Sequence, residues 1–126
     1  KIYRPMGNKI LVVDDSETSL LLIQSIFDGK EDMNILLESS GQKALDHLTT
    51  SQPDLIILDL LMPKLDGFEF LKQAKANPKN RDIPVIVLTA LQDHESEQKA
   101  LELGATDYIR KPLDINEVEE KIYRCL

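Results

Sequence analysis

DLIILDLLMPKLDG, residues 54–67, combines an uninterrupted apolar run with the polar loop that follows it. Leu55 to Leu58 is apolar without alternation, which is typical of a central parallel strand that helices cover on both faces. Asp59 comes directly after this run, and Asp66 and Gly67 mark a structured loop before a helix. The stretch therefore predicts a buried strand in an α/β fold, with an acidic residue at its carboxyl end.

More apolar runs of strand length lie on either side of this stretch, segments of helical period separate them, and a short last strand follows. The predicted strands are Lys9–Val13, Asn34–Glu38, Leu55–Leu58, Pro84–Leu88 and Asp107–Arg110. Five βα units with right-handed crossovers predict an α/β fold: a flavodoxin-like, doubly wound, five-stranded parallel sheet in the order 2-1-3-4-5 with five helices.

The helices are placed by capping residues and apolar spacing. Ser16 can cap the first helix, whose apolar face Leu21 and Leu22 are expected to widen. The fourth helix is predicted over Glu95–Leu103, because Gly104 readily adopts the left-handed conformation that ends a helix. The apolar stripe of the last helix is predicted at Ile115, Val118, Ile122 and Leu126.

Composition narrows the classes of function. With 126 residues the chain is long enough for one compact domain. Its net charge is −7, from 22 acidic and 15 basic residues, and no basic run resembles a nucleic-acid footprint, so direct nucleic-acid binding is not expected. The single cysteine, Cys125, cannot form an internal disulfide, and the sequence contains no signal-peptide core or membrane-length apolar stretch. We therefore expect a cytoplasmic protein without membrane contact.

Residues at the carboxyl ends of the predicted strands form one candidate site, because these ends meet at one edge of a parallel sheet. They are Asp14 and Asp15 after the first strand, Asp59 after the third, Thr89 at the end of the fourth, and Lys111 after the fifth. The sequence thus predicts an acidic pocket that holds a divalent cation and a phosphoryl group.

Each acid also has a simpler interpretation. Asp14 and Asp15 are equally compatible with acids that complement the dipole of the first helix, and Asp59 alone with an exposed strand terminator. Together, however, three carboxylates would be costly without a hard cation such as Mg²⁺. The Asp59 carboxylate can attack a phosphoryl donor to give a transient acyl phosphate.

The other pocket residues also allow two interpretations each. The Thr89 hydroxyl can donate to a phosphoryl oxygen, although β-branched residues commonly end strands. Lys111 can be a surface charge or can pair with the phosphate, and Pro112 after it can support a cis bond. Tyr108 is most economically a half-buried core aromatic with its hydroxyl in water, and a rotamer switch is the alternative.

Four motifs resemble those of the receiver domain of two-component response regulators, the CheY-like family. They are KILVVDD at 9–15, DLIILDLLMPKLDG at 54–67, VIVLTA at 85–90 and DYIRKP at 107–112, in family order and with family spacing. The receiver domain is therefore placed at 9–126, with 1–8 as an N-terminal extension or tag remnant. Because the chain begins at Lys1 and stops inside an apparent helix, we expect a piece excised from a longer multidomain protein; a native start at Met6 is the alternative.

The resemblance implies that Asp59 accepts phosphate from a histidine kinase or a histidine phosphotransfer protein. Asp15, Asp59 and the backbone carbonyl of Leu61 would bind Mg²⁺, with Mn²⁺ as a possible substitute, and Asp14 would act largely through water. Thr89 and Lys111 would contact the phosphoryl group.

The resemblance also implies a switch. The phosphoryl group would draw the Thr89 hydroxyl inward, and the ring of Tyr108 would fill the vacated space. This would change the surface formed by the fourth helix, fifth strand and fifth helix, which would control an output domain or a partner protein.

Leu61 and Leu91 lie two residues after Asp59 and Thr89 and are predicted to flank the entrance to the phosphoryl group. Neither side chain can orient a water molecule by hydrogen bonding. We therefore predict slow self-dephosphorylation.

Other functions fit less well. A phosphohydrolase of the haloacid dehalogenase type needs a second acid two residues after the nucleophile, where this chain has Leu61. A flavodoxin-like cofactor carrier would need a phosphate-binding loop rich in Ser, Thr and Gly after the first strand, and this sequence has none there. We expect no enzymatic activity beyond self-phosphorylation from small donors and self-dephosphorylation. A phosphorylation-independent interaction module is the alternative, dimerisation is possible, and His47 and His94 are interpreted as surface helix residues.

Overall fold

The computed structural model describes residues 7–126, and its five parallel strands lie in the order β2-β1-β3-β4-β5. The strands are β1 Asn8–Val13, β2 Met33–Glu38, β3 Leu55–Leu58, β4 Val85–Thr89 and β5 Asp107–Arg110. The helices are α1 Glu17–Ile26, α2 Gly41–His47, α3 Gly67–Ala76, α4 His94–Glu102 and α5 Ile115–Cys125. This confirms the predicted flavodoxin-like, doubly wound sheet with its strand order and its five helices.

The chain start falls only partly within the described residues. The predicted extension at 1–8 lies outside them except for Gly7 and Asn8. Asn8 pairs with Met33 in the β1–β2 ladder, so the first strand begins one residue earlier than predicted. Within residues 7–126, the helices are too short or too polar for any of them to cross a membrane.

The sheet is covered by helices on both faces. Leu11 and Val13 of β1 point into a cluster that includes Phe70 of α3, whereas Ile10 and Val12 point into a cluster with α1 and α5. This alternation follows from the two-residue period of a strand. All four residues of β3 are at most 2% exposed, which confirms that LIIL forms a central, fully covered strand.

Two expectations about helix faces are wrong. Leu21 and Leu22 remain 57% and 42% exposed, whereas α1 buries Leu20, Ile23 and Ile26. Each helical residue is rotated by about 100° from the one before it, which turns Leu21 and Leu22 away from the sheet.

The predicted stripe of α5 is also shorter than expected. Val118 and Ile122 are buried, but Ile115 is 47% exposed and Leu126 is only partly buried. Ile115 is the first residue of the helix, directly after its N-cap Asp114. Leu126 still packs against the same cluster as Val118 and Ile122, so only Ile115 departs from the predicted stripe.

Candidate functional site

Three carboxylates meet at the carboxyl ends of β1 and β3. Asp14, Asp15 and Asp59 each offer one oxygen, and these three oxygens lie within 4.8 Å of one another. Asp14 and Asp59 are 2% and 5% exposed, whereas Asp15 is exposed. A cluster of this kind can bind a single hard cation, because such cations prefer oxygen ligands.

The chain leaves β1 at the point where the two adjacent acids occur. The Asp14 backbone N–H donates to the Glu38 carbonyl oxygen at 3.1 Å, and the Ser16 N–H donates to Asp14 Oδ1 at 2.9 Å. Ser16 is the N-cap of α1 and accepts from the Ser19 N–H. The cap is therefore Ser16, and both acids lie in the loop before it, as the sequence predicted.

The loop after β3 is held against the end of its own strand. The Gly67 N–H donates to the Leu60 carbonyl oxygen at 3.0 Å, and Asp66 caps α3 by accepting from the Glu69 N–H at 2.9 Å. A Cβ atom added at Gly67 would lie 2.3 Å from the Asp59 carbonyl oxygen. Only glycine fits this contact, so the start of α3 can pack directly against the backbone of Asp59.

Lys111 is part of the pocket and is not a surface charge. Its ammonium donates to Asp14 Oδ2 at 2.9 Å and to Asp59 Oδ2 at 3.3 Å, and its side chain is 18% exposed. Its backbone N–H donates to the Thr89 carbonyl oxygen at 2.8 Å. The peptide bond between Lys111 and Pro112 is cis.

The pocket contains more buried negative than positive charge. Burial raises the pKa of the Asp14 carboxyl above its ordinary value of 3.8, and the charge of Asp59 acts in the same direction against hydrogen bonds from Ser16 and Lys111. Burial also acts to lower the pKa of Lys111, but its interactions with Asp14 and Asp59 outweigh this and raise that pKa. One ammonium thus faces two buried carboxylates, which favours the entry of another cation.

Thr89 and Tyr108 both contact the backbone of Leu91. Thr89 is fully buried, and its Oγ1 accepts from the Leu91 N–H at 3.4 Å. Tyr108 is 7% exposed, and its hydroxyl donates to the Leu91 carbonyl oxygen at 2.9 Å. Burial raises the pKa of Tyr108. The expectation of a half-buried residue is therefore wrong, and the β4–α4 loop supplies an acceptor for the hydroxyl.

The two leucines differ in exposure. Leu61 is 49% exposed, and its N–H donates to Asp59 Oδ1 at 3.1 Å, whereas Leu91 is partly buried. His47 ends α2 and is partly buried, and His94 begins α4 and is exposed.

Sequence reasoning missed Gln92. Its Nε2 donates to the Lys111 carbonyl oxygen at 3.1 Å, which ties the β4–α4 loop to the loop after β5. An exposed glutamine in a loop carries no sequence signal for such a contact. For Gly67, the signal was the DG pair at 66–67, which indicated a loop but not its close approach to Asp59.

Comparison with known proteins places this chain in a family. Residues 10–123 match the family model described as the response regulator receiver domain. The chain is 37% identical over 121 residues to sporulation initiation phosphotransferase F of Bacillus subtilis (strain 168). This match covers 96% of this chain and 95% of that protein.

A second relative is longer. The chain is 38% identical over 121 residues to the alkaline phosphatase synthesis transcriptional regulatory protein PhoP of Bacillus subtilis (strain 168), and the match covers 96% of this chain but 49% of PhoP. Among solved structures, the Mn²⁺-bound form of response regulator Rcp1 matches with a TM-score of 0.80 and 28% sequence identity, over 92% of this chain and 89% of that one. The chain therefore belongs to the family of response regulator receiver domains.

Proposed function

We propose that Asp59 is a phosphoacceptor whose modification by a histidine kinase or a histidine phosphotransfer protein depends on Mg²⁺. The observation that carries this proposal is the group of three carboxylate oxygens within 4.8 Å, with the Lys111 ammonium bonded to both Asp14 and Asp59. A carboxylate nucleophile, acidic cation ligands and a fixed ammonium are the groups that phosphoryl transfer to a protein side chain requires.

Asp15, Asp59 and the Leu61 carbonyl would hold the cation, with Asp14 acting through water. The donors are all oxygens, which suits Mg²⁺ and also permits Mn²⁺. When bound, the cation neutralises charge on the phosphoryl oxygens. The Mn²⁺-bound form of Rcp1 supports this assignment for a related protein.

In the transfer step, an Asp59 carboxylate oxygen attacks phosphorus, and the bond from phosphorus to the donor nitrogen or oxygen breaks with its electron pair. The Lys111 ammonium, 3.3 Å from Asp59 Oδ2 and 2.9 Å from Asp14 Oδ2, would shift from Asp14 toward the new phosphoryl oxygens. The Thr89 hydroxyl, at the end of the neighbouring strand β4, would donate to another of these oxygens.

The readout would pass through Thr89 and Tyr108 to the surface formed by α4, β5 and α5. Thr89 Oγ1 and the Tyr108 hydroxyl contact opposite polar groups of Leu91, so a shift of the threonine changes the loop that holds the tyrosine. A preference of a few kcal/mol for one arrangement is enough to shift its population. This surface would control an output domain or a partner protein.

The alternative function is an interaction module that works without phosphorylation. The observation that favours it is the Tyr108 ring, which is buried in the described conformation. A surface already held in its signalling arrangement would need no modification. A cytoplasmic location and the absence of other enzymatic activity stay predictions from the sequence.

Intact-protein mass spectrometry after incubation with acetyl phosphate and Mg²⁺ tests the proposal. We expect one phosphoryl adduct, which disappears in Asp59→Asn and in a sample treated with a chelator. If no adduct forms and beryllofluoride also leaves the NMR spectrum of the folded protein unchanged, the interaction module becomes the better description.

A further inference from the structure

The end of β4 and the loop that follows it are tied to β5 and Lys111 by three hydrogen bonds. The Lys111 N–H donates to the Thr89 carbonyl oxygen at 2.8 Å, and the Tyr108 hydroxyl donates to the Leu91 carbonyl oxygen at 2.9 Å. The third link is the hydrogen bond of 3.1 Å from Gln92 Nε2 to the Lys111 carbonyl oxygen. Of the three, only this hydrogen bond joins a side chain of the loop to Lys111.

Gln92 lies directly before the first turn of α4. The next residue, Asp93, is the N-cap, and its carboxylate accepts from the Ser96 N–H at 2.9 Å and from Ser96 Oγ at 3.0 Å. The cap fixes the orientation of the first turn relative to the backbone before it. A displacement of Gln92 therefore reaches α4 within one residue.

Helix α4 is held by few contacts. Ala100 is its single buried residue. The Lys99 ammonium lies 4.3 Å from the centre of the Phe68 ring, and Glu97 pairs with Arg110 at the surface. Segments with little buried apolar area move at low free-energy cost. The position of α4 can therefore respond to a single hydrogen bond at its start.

We infer that Gln92 is a positioning residue that couples Lys111 to the start of α4, in parallel with the route through Thr89 and Tyr108. This inference rests on the proposed function, since it is the phosphoryl group on Asp59 that would draw the Lys111 ammonium. The Lys111 backbone carbonyl would follow the side chain, and Gln92 would transmit this movement to α4.

Three variants separate the hydrogen bond from other effects. Gln92→Met keeps a side chain of similar length without a donor, and Gln92→Arg keeps a donor for the carbonyl oxygen. Gln98→Met is the matched control, because Gln98 is exposed on α4 and makes no side-chain hydrogen bond among residues 7–126.

The measurement is the change in backbone amide NMR shifts of α4 when Mg²⁺ and beryllofluoride are added, together with the rate of phosphorylation by acetyl phosphate. We expect Gln92→Met to reduce the α4 shifts by about half and to slow phosphorylation about threefold, as one modest hydrogen bond allows. Gln92→Arg and Gln98→Met should stay within the wild-type range. If Gln92 served folding stability alone, Gln92→Met would leave the α4 shifts unchanged, and Gln92→Arg would have no loss to restore.

The outcomes distinguish two failures. If the wild-type protein does not respond to beryllofluoride, the proposed function is overturned and this inference with it. If the wild-type protein responds and Gln92→Met responds equally, only the inference is overturned. The same holds if Gln92→Arg loses as much of the response as Gln92→Met, because the donor would then not be the cause. A combined Gln92→Met and Tyr108→Phe variant should lose more of the response than either single variant.

Discussion

The pocket formed by Asp14, Asp59, Thr89 and Lys111 and the helix α4 are built in opposite ways. In the pocket, Asp14, Asp59 and Thr89 are buried, and each is fixed by hydrogen bonds from backbone or side chains. In α4, Ala100 is the one buried residue, and Lys99 and Glu97 contact Phe68 and Arg110 at the surface. A rigid site beside a loosely held helix can convert a local change in charge into a movement elsewhere.

The largest effect is expected from a substitution that displaces the backbone of the pocket, because this would remove the rigidity that distinguishes the pocket from α4. Gly67→Ala places a Cβ atom 2.3 Å from the Asp59 carbonyl oxygen, and this backbone atom can move only with the end of β3. We expect the free energy of unfolding to fall by about 2–3 kcal/mol, measured by urea denaturation, and phosphorylation of Asp59 to slow.

Gly29→Ala is the matched comparison for that substitution. Gly29 has a positive φ of 78° but no atom within 4 Å of an added Cβ, so its cost should come from backbone conformation alone, about 1 kcal/mol. Equal losses in the two variants would show that the close contact at Gly67 does not hold the pocket.

A second prediction concerns access to the phosphoryl group. Leu61→Asn or Leu91→Glu should accelerate loss of phosphate from Asp59 about tenfold, equivalent to about 1.4 kcal/mol in the barrier, because each introduces a group that can orient a water molecule. The decay is followed by mass spectrometry after removal of acetyl phosphate. Leu101→Asn, on the exposed side of α4, serves as the control, and unchanged lifetimes in both pocket variants would refute the prediction.

The third prediction addresses the excess negative charge of the pocket. The pKa of Asp14 is raised, so the folded state binds this proton more tightly than the unfolded chain. The contribution of Asp14 to stability therefore falls as the pH rises from about 3.8 through the raised value. With a chelator present, Asp14→Asn should increase the free energy of unfolding at pH 7 by about 1 kcal/mol, net of one lost hydrogen bond, because the amide keeps one acceptor oxygen where the carboxylate accepts from both Ser16 and Lys111.

Denaturant titrations of the wild-type protein and of Asp14→Asn over a pH series check the direction of this pH dependence. The advantage of Asp14→Asn should shrink as the pH falls through the window in which Asp14 becomes protonated. An advantage that persists at low pH would mean that packing, and not charge, causes it.

The smallest predicted effect concerns α4. Lys99→Met removes the cation from the Phe68 ring and should reduce the free energy of unfolding by about 0.5–1 kcal/mol. Lys99→Arg, which keeps the cation, should change it less. Amide hydrogen exchange should accelerate in α4 but not in β3. Acceleration in both elements would contradict the contrast between the two regions.

Much of this architecture could be predicted from the sequence. The apolar run 55–58 placed β3 at its observed bounds, because a strand covered on both faces leaves a continuous apolar pattern. The bounds of β5 were also predicted, although its sequence DYIR has charged residues at both ends. The pocket could be predicted for a related reason, since parallel topology brings the carboxyl ends of strands together. Asp14, Asp59 and Lys111 meet as expected.

Other features depend on side-chain directions that no pattern records. Leu21 and Leu22 are apolar but face away from the sheet, because composition does not tell which side of a helix is covered. The Tyr108 hydroxyl finds the Leu91 carbonyl, and Gln92 finds the Lys111 carbonyl across 19 residues of sequence. These contacts depend on how two loops close over each other.

The ammonium of Lys111 is a counterion that the protein carries with it. Being attached to the chain, it stays beside Asp14 and Asp59 at any dilution and in the presence of any chelator. The domain can thus stay folded without a metal ion, unlike small domains that unfold when their metal is withdrawn. If Asp59 is phosphorylated as we propose, removing divalent cations would stop phosphorylation without unfolding the protein, and adding them back would restore it.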